Sequence, residues 1–430
     1  MHPDPPALRS SPPRGLIVAA VVGAVWRWSV LLVDKWHQPL LLNDSLYYSA
    51  QARQLAHGVF FREIFVDQPG AEHGPLTPVL MAPVSWLSDP VPWQRMVTVM
   101  CGIATIVVIG LVANRLAGPR AAVWAGWIAA VYPNLWMNDG LVMSESISVL
   151  LVSVFLLLML GAIHNTSVRH VVVIGAVVGL AALARSELLV LVAGAAVFLL
   201  VSDRSRYRDR RWWAVLIRPA ALVSVALLVI APWVVFNLVR FERPVTMSTN
   251  DGTTLVGSYC DPAFSGSEKG GWNVFCVVND PDYSMDEEPS VRSARQRSLA
   301  ATYARAHVRE VPGVVAARIG RTLDLYGLHN LVAQDVGEER YAWASWAGIA
   351  AWWVLAVAAA FGIRRVTVRE RWVLALPAMS VLLTTVVFYG GHRIRSSMEP
   401  TVVILAAITC AAVAGRLVDR RVDRRVVVHE

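Results

Sequence analysis

Three polar side chains stand close together just after the first apolar run of the chain. Asp44, Tyr47 and Tyr48 follow the run at 15–33, where a chain that leaves a membrane meets water. A carboxylate at such a boundary can take the proton of a hydroxyl group or coordinate a divalent cation. Asp44 has a competing structural role, because residues 46–56 are predicted to form an amphipathic helix that it would cap. The local sequence alone favours the N-cap.

Two further pairs of polar residues lie next to apolar runs. Glu72 and His73 lie where the same loop returns to the next apolar run, just before Pro75, which redirects the chain. An isolated acid–histidine pair in a loop is most often structural. Arg185 and Glu187 separate two short apolar runs. Intramembrane charges are costly and commonly mark function, but a buried Arg–Glu pair explains these two equally well.

The composition identifies the elements that must position these residues. Of the 430 residues, 56% are hydrophobic and 16% are charged, whereas soluble domains carry roughly 25% charged residues. The mean hydropathy is +0.50. These values exclude an ordinary soluble enzyme, a disordered protein and a nucleic-acid binder. They predict an all-α polytopic membrane protein.

Apolar runs near 20 residues define the predicted spans, because that length crosses about 30 Å of hydrocarbon. Eight runs approach this length: 15–33, 93–113, 121–137, 141–163, 213–236, 343–363, 372–389 and 399–415. Two shorter runs, 171–184 and 187–201, are predicted to form a hairpin with Arg185 at its buried tip. The sequence therefore predicts a bundle of about ten transmembrane helices, two of them short.

The charge distribution predicts the orientation. The net charge is +8, and only Lys35 and Lys269 are lysines. If both termini are cytoplasmic, alternate crossings place the basic clusters inside. These clusters contain Arg115, Arg120, Arg169, Arg204, Arg206, Arg208, Arg210, Arg211, Arg364, Arg365, Arg369, Arg371, Arg416, Arg420, Arg421, Arg424 and Arg425. The predicted organisation is a cytoplasmic tail at 1–14, a transmembrane region at 15–236 with its first outer loop at 34–92, an extracytoplasmic segment at 237–342, C-terminal transmembrane helices at 343–415 and a basic cytoplasmic tail at 416–430. We expect a multi-pass protein of the plasma membrane.

The cysteines agree with this orientation. Cys260 and Cys276 both fall in the predicted extracytoplasmic segment, where an oxidising compartment allows a disulfide. A disulfide is favoured over two free thiols. Their spacing, without nearby histidine or cysteine partners, is not a zinc signature.

The ordered motifs resemble a known family. Asp44 with Tyr47-Tyr48, followed by His73-Gly74-Pro75-Leu76, is similar to the first-loop pattern of GT-C glycosyltransferases. The nearest group contains the protein O-mannosyltransferases and the lipid A aminoarabinose transferase (family 39-like), and the chain looks like an actinobacterial member. Further stretches fit in the same order between residues 15 and 415: Tyr132-Pro133-Asn134-Leu135-Trp136, Met143-Ser144-Glu145, Gly179–Glu187, Ala231-Pro232-Trp233, Ser248–Gly252 and His392-Arg393-Ile394-Arg395. The chain departs from the pattern at Gly74, where proline is usual, and at Ser186, where proline is common.

The resemblance implies a GT-C-like bundle that uses a polyprenyl-phosphate sugar on the extracytoplasmic side. It implies that Asp44 is the catalytic base, or the carboxylate that orients the acceptor, in an inverting displacement. Tyr48, Glu72 and His73 then bind substrate. The acceptor is a glycan, a lipid or a protein hydroxyl. A divalent metal stays open as a cofactor, since Asp44 is the only start of a ligand set.

The leaving lipid phosphate needs fixed positive charge, and arginine holds phosphate through a rigid fork of donors. The resemblance assigns this role to Arg185, Arg393 and Arg395, with Arg395 slightly favoured over Arg393. The last two lie on the outer side, against the trend of the basic residues. Their alternative role is interfacial snorkelling.

Two other functions stay open. A multi-span transporter or flippase of a lipid-linked substrate explains buried charges equally well, but not the long outer segment or the first-loop motif. A non-catalytic membrane scaffold, whose outer loop binds a partner, is the third reading. The sequence names neither the sugar nor the acceptor.

Overall fold

The computed structural model describes residues 12–206 and 212–427, and these residues form helices joined by loops. The helices, numbered in chain order, are α1 (Arg14–Val30), α2 (Asp44–Ala56), α3 (Leu76–Met81), α4 (Val91–Val131), α5 (Pro133–Trp136), α6 (Glu145–Ala162), α7 (Val168–Ala184), α8 (Leu189–Arg206), α9 (Trp212–Arg240), α10 (Asn250–Ser258), α11 (Asp261–Phe264), α12 (Phe275–Val278), α13 (Pro289–Ala306), α14 (Val311–Thr322), α15 (Leu328–Gly337), α16 (Ala342–Gly362), α17 (Val368–Val387), α18 (His392–Arg395) and α19 (Glu399–Val427). The described part of the chain contains no strand, only one isolated bridge between Arg62 and Pro69.

The predicted all-α membrane architecture is confirmed. Within the described residues, eight helices are long and apolar enough to cross a membrane, and α7 is a shorter apolar helix. The longest, α4, is divided by Ala117 and by Gly118 at φ 80°, directly before Pro119. Such a backbone suits glycine, and proline cannot continue the hydrogen-bond ladder. Two limbs result, so each of the ten predicted spans lies on helix.

Two local predictions differ from the structure. The span predicted at 121–137 ends earlier, because Tyr132 is extended before Pro133 and the chain restarts as the single turn α5. The hairpin at 171–201 is predicted from two short runs, but only α7 is short. The second segment extends from Ser186 to Arg204, long enough to cross, because polar residues continue its helix beyond the apolar run.

The arginine-rich connectors meet at one end of the bundle. Leu16 of α1 packs against both Gly110 and Gly126, so the turn that divides α4 lies beside the start of α1. The Arg120 guanidinium lies against Gly415 near the end of α19. Alternating crossings require this arrangement. Residues 1–11 of the predicted N-terminal tail, the arginines at 208, 210 and 211, and residues 428–430 of the C-terminal tail lie outside the described residues.

The opposite end carries the loops with the chemical motifs. The segment between α9 and α16 folds into helices α10 to α15, and α14 packs on α17 while α15 packs on α16. Within this segment Cys260 and Cys276 form a disulfide. The segment between α9 and α16 therefore covers the bundle at the end where α2, α7 and α18 bring their polar residues.

Candidate active site

Asp44 lies in the first turn of α2, but it does not cap the helix. The Asn43 side chain accepts the hydrogen bond from the backbone N–H of Ser45 at 2.9 Å, so the N-cap prediction for Asp44 is wrong. Asp44 Oδ2 instead lies 2.7 Å from Nη2 of Arg393, and its Oδ1 lies 3.4 Å from Nε2 of His73. The Asp44 side chain is 26% exposed, which leaves it open to a substrate.

Arg393 is the centre of the charge cluster. Besides Asp44, its Nε lies 2.7 Å from Oε1 of Glu145, and its Nη1 lies 3.2 Å from Oε1 of Glu338. The planar guanidinium offers donors in a fixed fork, and here each edge of the fork meets a different carboxylate. Three elements distant in sequence, α2, α6 and the segment after α15, are thereby tied to α18.

Arg185 joins the same cluster from the turn between α7 and α8. Its Nε lies 2.5 Å from Oε1 of Glu187, and its Nη1 lies 2.9 Å from Oε1 of Glu145. The predicted Arg–Glu pair is therefore present. Because Arg185 and Arg393 share the same oxygen of Glu145, this fully buried carboxylate holds the two guanidinium groups side by side.

Asp44, Arg185 and Arg393 line one cavity of about 320 Å³. It contains six of the seven residues predicted to bind substrate or catalyse: Asp44, Tyr48, Glu72, His73, Arg185 and Arg393. Ala184 at the end of α7 and Phe388 beyond α17 add apolar wall. The cavity thus combines a carboxylate, two guanidinium groups and an apolar flank.

The loop that carries His73 is fixed against the bundle. The His73 ring stacks on Tyr48 with ring centroids 4.9 Å apart and meets the edge of Tyr47 at 5.4 Å. A Cβ at Gly74 would lie 2.3 Å from the backbone oxygen of Leu183. The departure of Gly74 from the family pattern therefore has a physical reason: the loop approaches α7 too closely for a side chain.

Burial and neighbouring charges set the protonation of this site. Burial tends to raise the pKa of the Asp44 carboxyl, but the charges of Arg393 and His73 outweigh burial and hold that pKa well below its usual range. Burial tends to lower the pKa of the His73 imidazole, yet Asp44 and Glu72 keep it above its ordinary value. Burial raises the pKa of the Glu72 carboxyl, with His73 opposing the rise. Asp44 is therefore an ionised carboxylate at neutral pH.

Arg395 does not line the cavity. It is fully buried, with Nη1 2.6 Å from Oδ2 of Asp324 and Nε 2.8 Å from Oε1 of Glu399, and its guanidinium lies 4.3 Å from the centre of the Trp352 ring. A donor phosphate cannot reach a side chain enclosed in this way. Arg393 therefore lines the cavity, whereas Arg395 is buried in the protein. The expectation that slightly favoured Arg395 as the phosphate ligand does not agree with this geometry.

Sequence reasoning missed Glu338. This residue follows α15 and contacts both Arg393 and Arg340, with its carboxylate directly against the latter. The acidic run of Glu338 and Glu339 is the only signal in the sequence, and such a run normally indicates a solvated surface. Glu338 reaches the site only because the segment between α9 and α16 folds over the bundle.

A metal ion would need a group of carboxylate, histidine or cysteine ligands. Residues 12–206 and 212–427 contain no group of three or more His, Cys, Asp or Glu side chains that could hold a metal ion. Asp44 has His73 beside it but no second carboxylate within a ligand set. No metal ligand is therefore assigned.

Part of the chain matches a known protein family, and its fold is similar to that of solved structures. Residues 72–241 match the family described as dolichyl-phosphate-mannose-protein mannosyltransferase, and this stretch includes Glu72, His73, Glu145 and Arg185. The oligosaccharyltransferase AglB from Archaeoglobus fulgidus, solved with an inhibitory peptide and a dolichol-phosphate, superposes with a TM-score of 0.56 at 14% identity over 96% of this chain. The chain has the GT-C fold.

Other solved structures show how much of each protein the similarity covers. The Archaeoglobus fulgidus oligosaccharyltransferase solved with Zn and sulfate also has a TM-score of 0.56, at 13% identity, with 96% of this chain covered. This chain spans about half of the length of these proteins, 51% in both comparisons. ArnT from Cupriavidus metallidurans bound to undecaprenyl phosphate is 19% identical over 93% of this chain and 78% of its own, with a TM-score of only 0.45. No curated protein sequence matches the chain.

Proposed function

We propose that the protein is an integral-membrane glycosyltransferase that moves a hexosyl or pentosyl group from a polyprenyl-phosphate donor to an acceptor hydroxyl. One observation carries the proposal: Asp44 and the paired guanidinium groups of Arg185 and Arg393 line a single cavity at the end of the bundle opposite the basic connectors. The match of residues 72–241 to a family named for a lipid-phosphate sugar donor supports the donor class.

In the proposed reaction, the arginines and the aspartate act on different substrates. Arg185 and Arg393 bind the donor phosphate, and Asp44 accepts the proton of the acceptor hydroxyl. The acceptor oxygen forms a bond to the anomeric carbon while the bond from that carbon to the phosphate oxygen breaks. The polyprenyl phosphate leaves with the electron pair, and the anomeric configuration inverts.

Donor binding also changes the base. Nη2 of Arg393 is hydrogen-bonded to Asp44 in the structure, at 2.7 Å. A phosphate that binds Arg393 shares its donors and brings a negative charge beside Asp44, which offsets the charge that most lowers the pKa of the Asp44 carboxyl. Asp44 then becomes a stronger base when the donor is in place, because a carboxylate beside a second negative charge holds a proton more tightly.

The proposal includes the orientation predicted from the arginines. Both termini would lie in the cytoplasm, and the cavity would face the extracytoplasmic side of the plasma membrane. The grouping of the basic connectors at one end and of the site residues at the other supports this orientation.

The test is transfer by purified protein in lipid nanodiscs. Polyprenyl-phosphate mannose and polyprenyl-phosphate arabinose are supplied with cell-envelope extract, and sugar-bearing products are identified by mass spectrometry. We expect transfer from one donor, and at least a hundredfold loss in Arg393→Gln. Vesicles in which a labelled lipid donor crosses the bilayer with no glycosylated product would show a flippase instead and overturn the proposal.

A further inference from the structure

A second cavity of about 270 Å³ opens from the same carboxylates on another side. It shares Asp44 and Glu72 with the first cavity, and its remaining wall includes Glu63, Phe65, Tyr283 and Arg292. The wall comes mainly from the loop at 34–92, from residues around the start of α10, and from residues 283–292 at and just before the start of α13. The two cavities therefore meet at Asp44 while reaching toward different parts of the molecule.

Two of the three acidic side chains that line this second cavity, Glu63 and Glu72, lack protein partners. Among the described residues, no donor forms a hydrogen bond or ion pair with the side chain of Glu63 or of Glu72. Arg292, whose positive charge acts on both carboxyl groups, donates through Nη1 to the backbone oxygen of Ser284 at 3.2 Å. Burial, reinforced by the charge of Glu72, raises the pKa of Glu63 to about 7. Partly buried carboxylates without donors are unfavourable, so a ligand that supplies donors would relieve them.

A third cavity, of about 290 Å³, offers a contrast. It also reaches Asp44 and Glu72, but the two acids that it adds, Asp335 and Glu338, are already paired. Asp335 Oδ2 lies 2.7 Å from Nδ1 of His392, and Glu338 contacts Arg340 and Arg393. Incoming hydroxyls there would find only Glu72 free to accept and would otherwise have to displace existing ion pairs, whereas the second cavity offers Glu63 beside Glu72.

We propose that the second cavity binds the acceptor and that the acceptor is a neutral glycan, whose neighbouring hydroxyls donate to Glu63 and Glu72. This inference rests on the proposed glycosyl transfer and names the substrate that receives the sugar. A sugar ring carries several hydroxyls on adjacent carbons, which matches two carboxylates without donors. A serine or threonine of a peptide supplies only one hydroxyl.

The rest of the wall fits the same ligand. Phe65 is 60% exposed, and it and Tyr283 provide flat apolar surfaces of the kind on which sugar rings pack. Three acidic side chains line this cavity against one guanidinium, that of Arg292, so glycans that bear uronic acids are selected against, most strongly above pH 7, where Glu63 is ionised. A bound glycan hydroxyl that enters from this side reaches Asp44, whose carboxylate forms the boundary between the two cavities.

The experiment measures binding without donor, by saturation-transfer difference NMR on protein in nanodiscs. The probes are linear mannotriose and arabinotriose, a trisaccharide of the same length ending in glucuronic acid, and the peptide Ala-Thr-Ala. We expect at least one neutral trisaccharide to bind at a pH above 7, where Glu63 is ionised, and Glu63→Gln to weaken this binding about tenfold, since a charge-assisted hydrogen bond is lost. The matched control is Glu242→Gln, since Glu242 is exposed and lines none of the three cavities.

The outcomes separate this inference from the proposed function. Binding that falls in the Glu63 variant but not in the Glu242 variant supports the glycan site, even if no lipid donor gives transfer. Absence of binding by both neutral trisaccharides, or binding that is unchanged in the Glu63 variant, overturns it. Stronger binding of the peptide or of the acidic trisaccharide overturns the choice of a neutral glycan. Binding of undecaprenyl phosphate should be unchanged in the Glu63 variant.

Discussion

Replacing Asp44 by asparagine tests the role of the central carboxylate with little change of shape. The amide keeps the size of the side chain but cannot accept a proton at neutral pH. Arg393 loses one of its three carboxylate partners and keeps Glu145 and Glu338, at 2.7 and 3.2 Å. The cluster should therefore stay assembled, and the variant should fold.

The magnitude follows from the chemistry that is removed. A positioned general base typically contributes 10²–10⁴-fold, so we expect transfer by Asp44→Asn to fall by about that factor. The lost ion pair is partly exposed, and the destabilisation should be only about 1 kcal/mol. The assay compares sugar transfer from a polyprenyl-phosphate donor with thermal unfolding followed by tryptophan fluorescence.

A control variant and the dependence of stability on pH complete this test. Asp67 belongs to the same outer loop and is 95% exposed, so Asp67→Asn should leave both measurements unchanged. Because the folded-state pKa of Asp44 is held below its unfolded value, the stability that it contributes is complete above about pH 4 and is lost only as the pH falls toward the folded pKa. Wild-type turnover by a folded Asp44→Asn protein would refute the assignment of Asp44 as the base.

Three further predictions concern charge. Arg395→Met should lower the free energy of unfolding by about 3–5 kcal/mol, because it leaves buried carboxylates uncompensated, and a melting temperature equal to that of the wild type would contradict this. Glu338→Gln frees one edge of Arg393 and should tighten undecaprenyl-phosphate binding several-fold in a titration; weaker binding would mean that Glu338 mainly holds Arg393 in place. Burial raises the pKa of Glu63 to about 7, so this group stabilises the fold at low pH and loses that contribution as the pH rises through 7. The melting temperature of Glu63→Gln should accordingly rise relative to the wild type between pH 5 and 8, and a constant difference would contradict the shifted pKa.

Much of the fold follows from hydropathy, because bilayer thickness fixes the length of an apolar helix. Each predicted span lies on helix, and the predicted helix at 46–56 lies within α2. The ends of the helices were harder to predict where backbone conformation, and not hydropathy, determines where a helix stops. Helix α4 ends at Val131 because Tyr132 precedes a proline, although the surrounding sequence stays apolar.

The site was harder to predict, because adjacent residues of similar chemistry take different roles. Asn43 and Asp44 are both good N-caps, and a register of one residue decides which of them is free for chemistry. Arg393 and Arg395 are two positions apart on one helical turn, so their side chains leave the helix in nearly opposite directions. One points to the cavity and the other into the protein, a choice that depends on how α18 packs. Glu338 reaches Arg393 only through tertiary folding.

The position of Arg393 accounts for how the proposed reaction manages charge. At the start, Asp44 carries one negative charge and the donor phosphodiester another. After transfer, Asp44 holds a proton and the released phosphate monoester carries the charge that Asp44 has lost. The total is unchanged, and the charge moves only from the carboxylate to the phosphate. Arg393 already donates to Asp44 and, with Arg185, is held by Glu145 facing the same cavity. A guanidinium that borders both groups can stabilise the charge at each stage with little rearrangement, which is the condition for lowering the barrier. A lysine at position 393 would keep the charge but not the fork that spans both partners, so charge alone should not restore transfer.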